Sequence, residues 1–345
     1  MGAKGRTPLR PSAPELVSWD VTSRCNLRCV HCYATAGTEP AADDLGTAEA
    51  KRFISELADI GVFQLVLLGG EPFLRGDILT LIQYARACQL DVGLSTNGTL
   101  ITPEVARQLA DLGLNGVQVS IDSSRAEVHD QFRGVPGSWR KATYAARLLA
   151  GMGCKVIVAT VITRLNIDDL PEMARLSAEL GASEFRTVRF IPVGRGGAAA
   201  NLMISPEQAR DGARVLSDLQ ASYDGKLKVR PDESFPFLVS PGAWRMFCTA
   251  GVTTCAVRSN GDVTPCSYFD GPDFVAGNIR GHRFESIWRN SPILYAFREA
   301  PLLEGRCREC AFIESCRGGC RAAAWNAHHD FTAPDPYCWL VSRSV

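Results

Sequence analysis

The chain has 345 residues, 37 basic and 37 acidic side chains, 46% hydrophobic residues and thirteen cysteines. That length gives two domains, or one large barrel with an appendage, and the apolar and charged fractions exclude wholesale disorder. Zero formal charge argues against a protein that grips a nucleic-acid backbone, and no run of about 18 apolar residues is present to span a membrane.

Residues 1–14 carry Lys4, Arg6 and Arg10 among three prolines, without an apolar stretch. They read as a flexible leader and not as a signal peptide, so the expected compartment is the cytoplasm. Short β-branched runs then alternate with amphipathic stretches. The candidate strands are Leu16–Val21, Gln64–Leu68, Asp91–Ser95, Gly116–Ile121, Lys155–Ile162 and Glu184–Ile191. Apolar residues at three- and four-residue spacing predict helices over Thr47–Ile60, Thr102–Leu112 and Ser138–Met152, the first two opened by Thr as N-cap. Strands separated by helices imply right-handed βαβ units and a parallel sheet. The expected architecture is α/β, a partial (β/α)6 parallel barrel over residues 15–235, with a flat doubly wound sheet as the alternative. Ser205 opens a further helix, and from Cys248 the alternation stops and eight cysteines crowd the remaining chain. Residues 236–345 therefore read as a small cysteine-rich domain stapled by metal, with the boundary near 230–245.

Polar and glycine-rich phrases follow the strands: Cys25-Asn-Leu-Arg-Cys29-Val-His31-Cys32 after the first, Gly69-Gly70-Glu71-Pro72 after the second, and Ser95-Thr96-Asn97-Gly98 at the third. Ser120-Ile121-Asp122 ends the fourth, and Gly194-Arg195-Gly196 follows the sixth. In parallel α/β folds that edge is where ligands bind. An odd number of clustered cysteines without an export signal points to metal ligation by thiolate and not to disulfides. Cys25, Cys29 and Cys32 give three thiolates to one centre. A structural zinc site wants a fourth ligand, whereas a cubane held by three cysteines keeps one iron open. The glycines of Gly69-Gly70 allow close approach of backbone to a ligand, and Glu71 offers a carboxylate to an ammonium group.

Cys25/Cys29/Cys32 with Gly-Gly-Glu-Pro after the next strand resembles the radical S-adenosylmethionine superfamily, over roughly residues 15–200. The resemblance implies that the open iron chelates S-adenosylmethionine, that one electron splits its sulfonium, and that a 5′-deoxyadenosyl radical takes a hydrogen atom from substrate. By motif position Gly69, Gly70, Glu71 and Pro72 would hold the methionine amino group. Ser95 and Asn97 would face ribose or carboxylate, with Ser120 and Asp122 nearby. Arg133 resembles the arginine paired with the methionine carboxylate, and the His31 ring would lie against adenine. The bland alternatives are turn formers for Ser95 and Asn97, a helix N-cap for Asp122 and a solvated charge for Arg133.

The remaining clustered cysteines are Cys248, Cys255, Cys266, Cys307, Cys310, Cys316, Cys320 and Cys338. Eight thiolates make two four-ligand sites, and an Asn260-Gly261-Asp262 turn reads as a hairpin that brings Cys255 and Cys266 together. Spacing alone leaves zinc open. With Gly261 the pattern resembles the SPASM extension, which implies two auxiliary 4Fe–4S clusters and so three in all. One takes Cys248, Cys255, Cys266 and Cys320, the other Cys307, Cys310, Cys316 and Cys338. Cys88 and Cys154 read as small buried apolar residues.

Trp19-Asp-Val-Thr-Ser-Arg-Cys25, Gly305-Arg-Cys307, Gly318-Gly-Cys320-Arg-Ala and Asp335-Pro-Tyr-Cys338 look most like the haem-pathway decarboxylases and their relatives. The expected function is oxidative modification (dehydrogenation, decarboxylation or cross-linking) of a tetrapyrrole, peptide or other natural product, fed by a flavodoxin- or ferredoxin-type donor of low potential. Ribosomal-peptide maturation and sugar or cyclitol dehydrogenation are the alternatives, with a zinc-stapled binding module more remote. About fourteen residues before the first strand leave no room for a winged-helix leader-binding domain. No residue is singled out as general acid or base, and neither nucleic acid nor membrane is an expected partner.

Overall fold

A computed structural model of the chain describes residues 11–39, 43–231, 247–299 and 303–341. In chain order the first part holds β1 (Leu16–Asp20), α1 (Thr47–Asp59), β2 (Gln64–Leu68), α2 (Ile78–Ala87), β3 (Asp91–Thr96), α3 (Pro103–Leu112) and β4 (Gly116–Ser120). There follow α4 (Ala126–Arg133), α5 (Ser138–Gly151), β5 (Val156–Ile162), α6 (Leu170–Glu179), β6 (Glu184–Arg189), α7 (Pro206–Ser222) and β7 (Lys228–Arg230). The last part has β8 (Thr254–Val257), β9 (Asp262–Thr264), β10 (Gly277–Asn278), α8 (Phe284–Asn290), α9 (Pro292–Arg298), α10 (Ile313–Cys316) and α11 (Arg321–His328). The expected boundary between residues 235 and 236 falls outside the described residues.

All ten strands form one sheet, in the order β10-β9-β8-β1-β2-β3-β4-β5-β6-β7. From β8 through β7 every neighbouring pair is parallel, and β9 runs antiparallel to β8 and β10. The run β1 to β7 never reverses, unlike the order of a doubly wound sheet. One cavity is lined both by Leu16 and Ser18 of β1 and by Arg186 of β6 and Arg230 of β7, so the sheet curls until distant strands face each other. The partial barrel holds, with two additions. Three-residue β7 follows β6 as a further parallel strand, too short and too charged to show as an apolar run. The C-terminal hairpin, expected from its turn, is no separate body: β8 continues the sheet beside β1.

Alternation in the strands sets what faces where. In β4, Val117 and Val119 are buried among the helices, whereas Gln118 and Ser120 line the interior cavity. The outward residues of the other strands, Trp19, Leu65, Leu67, Val92, Leu94 and Phe185 among them, pack with Phe53, Ile54, Leu81, Leu109 and Leu149 of the helices in one core. The barrel is thus apolar on its outer face, whereas its interior mixes polar side chains such as Gln118 and Ser120 with apolar ones such as Val161 and Val188. Thr102 caps α3, accepting from the Val105 N–H at 3.3 Å, and Ser205 with Gln208 boxes the start of α7. Thr47 is not a cap: the N-cap of α1 is Gly46, whose N–H donates to the Glu49 carboxylate at 2.9 Å. The end of the expected leader is anchored, since the Pro11 carbonyl accepts from the Trp288 indole at 3.1 Å and Ala13 packs on the core. Cys88 and Cys154 are half-buried against the core, at the end of α2 and in the loop before β5. Among the described residues no helix is long and apolar enough to cross a membrane.

Candidate functional site

The loop that leaves β1 carries Cys25, Cys29 and Cys32, and all three line one cavity of about 260 Å³ at the carboxyl ends of the strands. Three neighbours seat this loop. From the end of β2, Gly70 N–H donates to the Thr22 carbonyl at 2.9 Å and Glu71 N–H to that of Arg24 at 2.7 Å. The two backbones pack so closely that a Cβ on Gly70 would lie 1.9 Å from the Arg24 oxygen. From the other side, the end of α4 accepts at Arg133 and Phe132 from the N–H groups of Arg28 and Val30. The segment after β6 closes the seat, where Gly196 N–H reaches the Cys32 carbonyl at 2.9 Å and the Arg195 guanidinium donates to the Ala36 carbonyl.

The structure gathers most of the expected contacts and moves others behind the wall. His31, Gly69, Gly70, Ser95, Asn97, Ser120 and Arg133 line the cavity with the three cysteines. Glu71, Pro72 and Asp122 do not. Glu71, expected to offer its carboxylate to an ammonium group, is fully buried and accepts from Thr96 Oγ1 at 2.7 Å, Asn97 N–H at 2.8 Å and Phe73 N–H at 3.3 Å. It ties the end of β2 to the end of β3, and burial pushes its carboxyl up to about 7 against those hydrogen bonds. Asp122 is no helix cap, since Arg125 precedes α4. Its carboxylate receives Arg133 Nε at 2.6 Å and the Val161 N–H at 3.1 Å, with His31 Nε2 3.7 Å away. Nor is Arg133 a solvated charge: it is buried, with Nη1 3.7 Å from Cys29 Sγ.

Burial alone would raise the Asp122 carboxyl, but Arg133, His31 and His129 outweigh it and hold it below its ordinary value. Burial lowers His31 to about 4, against the pull of Asp122, so the ring is neutral. It packs on Phe132 at 4.6 Å, and its buried Nδ1 has no partner among the described residues. Burial also raises the Cys25 and Cys29 thiols, Cys25 to about 11 with the neighbouring cysteines adding to it. Metal uptake at such a site releases protons.

A second cavity of about 370 Å³ shares Val188, Arg189, Ile191, Ser267 and Tyr268 with the first, and Cys248, Cys255, Cys266 and Cys320 all line it. Burial pushes Cys266 up to about 12, and Cys248 adds to the rise. Cys320 is raised likewise by burial and then by Cys248. The other four thiols sense one another: Cys307 is raised by burial and by Cys338 and Cys310, and Cys316, at about 11, by burial and by Cys338 and Cys307. Among the described residues, no three His, Cys, Asp or Glu side chains are gathered around a single metal-ion position; the thiol sets are defined by the cavity they line and by their mutual electrostatic influence.

Two residues that periodicity does not single out join the cavities. Arg189, at the end of β6, lines both and pairs with Asp335 at 3.2 Å. The Asp335 carboxylate also accepts from Cys320 N–H at 2.7 Å and Tyr337 N–H at 2.9 Å. Arg189 in a strand reads as a surface charge until Asp335 is brought to it across the chain. Asp335 was visible only as part of the phrase before Cys338.

The donor set fits sulfur-bound iron. Three cysteines share a chamber of about 260 Å³ with glycine backbone, a neutral ring bearing an unpartnered nitrogen, and a guanidinium beside one sulfur, which is the equipment to hold a charged, base-bearing ligand against a cluster. A family model described as the radical SAM superfamily matches residues 19–177, and one described as an iron–sulfur cluster-binding domain matches residues 248–311. The chain is 33% identical to an AdoMet-dependent heme synthase of Methanosarcina barkeri, over 95% of this chain and 97% of that one. It is 37% identical to the mycofactocin maturase MftC of Mycolicibacterium smegmatis, over 94% of this chain and 83% of that one. It shares its fold with Streptococcus suis SuiB bound to S-adenosylmethionine, at a TM-score of 0.80 and 19% identity over 95% of this chain and 78% of that one. The two family models cover the parts of the chain that carry the first set of cavity-lining cysteines and most of the second, and relatives above 30% identity run nearly its full length: the chain belongs to the radical S-adenosylmethionine superfamily, as an enzyme that binds S-adenosylmethionine and a 4Fe–4S cluster in its barrel and auxiliary iron–sulfur clusters in its SPASM domain.

Proposed function

We propose that this enzyme oxidatively modifies a tetrapyrrole side chain, with its S-adenosylmethionine-binding cluster on Cys25, Cys29 and Cys32. One auxiliary cluster belongs to Cys248, Cys255, Cys266 and Cys320, and another to Cys307, Cys310, Cys316 and Cys338. The observation that carries this reading is the convergence of the first three thiols, Gly69–Gly70, His31 and Arg133 on one chamber that adjoins a four-thiol chamber. Identity of 33% over nearly the whole chain to a heme synthase supports the tetrapyrrole. Identity of 37% to a mycofactocin maturase favours the second reading, modification of a peptide.

When bound, cluster and S-adenosylmethionine supply one-electron cleavage of a sulfonium and removal of a hydrogen atom from substrate. The chain's own residues do the rest. Gly69 and Gly70 would hold the methionine end of the cofactor through backbone, with Ser95, Asn97 and Ser120 lining the same chamber. Neutral His31, braced by Phe132, would offer a flat face to the base. Arg133 places positive charge beside Cys29 and would pair with the methionine carboxylate, and Asp122 fixes the direction of its fork. Glu71 and Pro72 act from behind, holding the ends of β2 and β3. An electron donor of low potential, of flavodoxin or ferredoxin type, completes the reading.

Anaerobic reconstitution followed by iron and sulfide analysis tests it. The expectation is about twelve irons per chain, and about four would overturn the three-cluster assignment. Changing Cys25, Cys29 and Cys32 together to Ala is expected to abolish 5′-deoxyadenosine formation and to remove about four irons. Persistence of that product would reject the site.

A further inference from the structure

Side by side on β6 and β7, Arg186 and Arg230 stand in register across the parallel ladder, and both line the second cavity. Like charges directly opposite each other on neighbouring strands repel. The local compensation is one buried carboxylate, Glu184, which receives Arg186 at 2.7 Å, Arg230 at 3.4 Å and Lys228 at 3.9 Å. Arg186 and Arg230 against one anion leave positive charge on the cavity floor, with exposed Lys228 a further cation outside it. Among the described residues, neither cavity is lined by an aspartate or a glutamate.

Arg186 is also held in place. Glu184 takes its Nε at 2.8 Å and its Nη2 at 2.7 Å, and Nη1 lies 3.4 Å from Gln118 Oε1. Gln118 in turn donates to Ser95 Oγ at 3.0 Å, on the wall of the first cavity. A guanidinium fixed in this way keeps one N–H on each terminal nitrogen, and with a second guanidinium beside it these can take a carboxylate end-on.

We propose that Arg186 and Arg230 form the substrate's carboxylate-binding site, so that this enzyme takes substrates carrying a free carboxylate and holds it on the barrel floor, below the chamber of Cys25, Cys29 and Cys32. The inference rests on the proposed modification of a tetrapyrrole or a peptide and names the group by which either is gripped.

The test uses the reconstituted enzyme with two pairs of probes. One pair is an iron porphyrin bearing four propionate side chains and its tetramethyl ester, followed by the shift of the porphyrin absorbance. The other is a short peptide with a free C-terminal carboxylate and its C-terminal amide, followed by calorimetry. Wild-type enzyme is expected to bind one acid about 10- to 100-fold tighter than its blocked form, the range of a charge-assisted pair of hydrogen bonds. Arg186→Gln and Arg230→Gln are each expected to erase that preference, and Arg186→Lys to restore part of it. Iron content and melting temperature, measured on each variant, show that it is folded and loaded. A preference in the porphyrin pair supports the proposal with a tetrapyrrole as the source of the carboxylate; one in the peptide pair supports it with a peptide. Equal binding of acid and blocked form, binding of neither pair, or a preference that survives both glutamine variants in loaded enzyme overturns it. Iron analysis and 5′-deoxyadenosine formation decide the proposed function separately, since neither depends on this pair of arginines for its outcome in the wild type.

Discussion

Asp122 shows how one side chain organises a cofactor wall without reaching the cavity. It sits where β4 ends, draws in Arg133 from α4 and His31 from the cysteine loop, and its N–H donates to His129 Nδ1 at 3.1 Å. That hydrogen bond needs a neutral imidazole, and burial, opposed by Asp122, lowers His129 to about 4. In the unfolded chain a histidine titrates near 6.5. Between those values the unfolded state binds the extra proton, so the stability that His129 contributes falls as the pH drops through about 6.5 and is fully lost near 4. This group alone is expected to cost about 1 kcal/mol between pH 7.5 and 5.5. Anaerobic urea unfolding of wild type and His129→Gln, whose amide oxygen also accepts from Asp122, checks this as a difference: from the higher to the lower pH the wild type is expected to lose about 1 kcal/mol more than the variant. At this scale the chemistry-bearing residues were legible, because motif spacing is local. The Cys-x3-Cys-x2-Cys run and Gly-Gly-Glu-Pro need no folding to be seen. What Glu71 does was not legible, because its partners Thr96 and Asn97 arrive from the next strand.

Elements were legible wherever one face is apolar. Strands β1 to β6 lie within two residues of their expected ends, because each contrasts apolar residues packed on the helices with the polar turns that bound it. Lys-Val-Arg of β7 has no such contrast, and it is held as a strand by pairing to β6. The junction between the end of β2 and the cysteine loop is tighter than any propensity conveys. With a Cβ of residue 70 placed 1.9 Å from the Arg24 oxygen, Gly70→Ala must push the loop away. The expected result is a protein that keeps its auxiliary iron, about eight atoms per chain, and loses the remaining four. Iron analysis beside a circular dichroism spectrum checks it; a full iron complement in Gly70→Ala would show that the loop yields without cost.

On the scale of the molecule, the barrel and the cysteine-rich part are joined inside as well as along the sheet. The Arg189–Asp335 pair is buried, the Tyr337 hydroxyl donates to the Phe190 carbonyl, and Asp335 holds the N–H of Cys320. Removing one partner of a buried ion pair costs about 3–5 kcal/mol. Asp335→Ala is accordingly expected to lower the melting temperature by several degrees and to loosen the iron around Cys320, with Asp335→Asn milder; unchanged melting in both would deny the pair its part. None of this showed in the sequence, since the partners are 146 residues apart. The position of β8 has its own consequence for biosynthesis. β1 leaves the ribosome well before one of its two neighbours, which begins only at Thr254. At ordinary elongation rates the nascent chain carries that bare flank for on the order of ten seconds or more, and a ribosome stalled before the hairpin emerges would display a strand open to any passing partner.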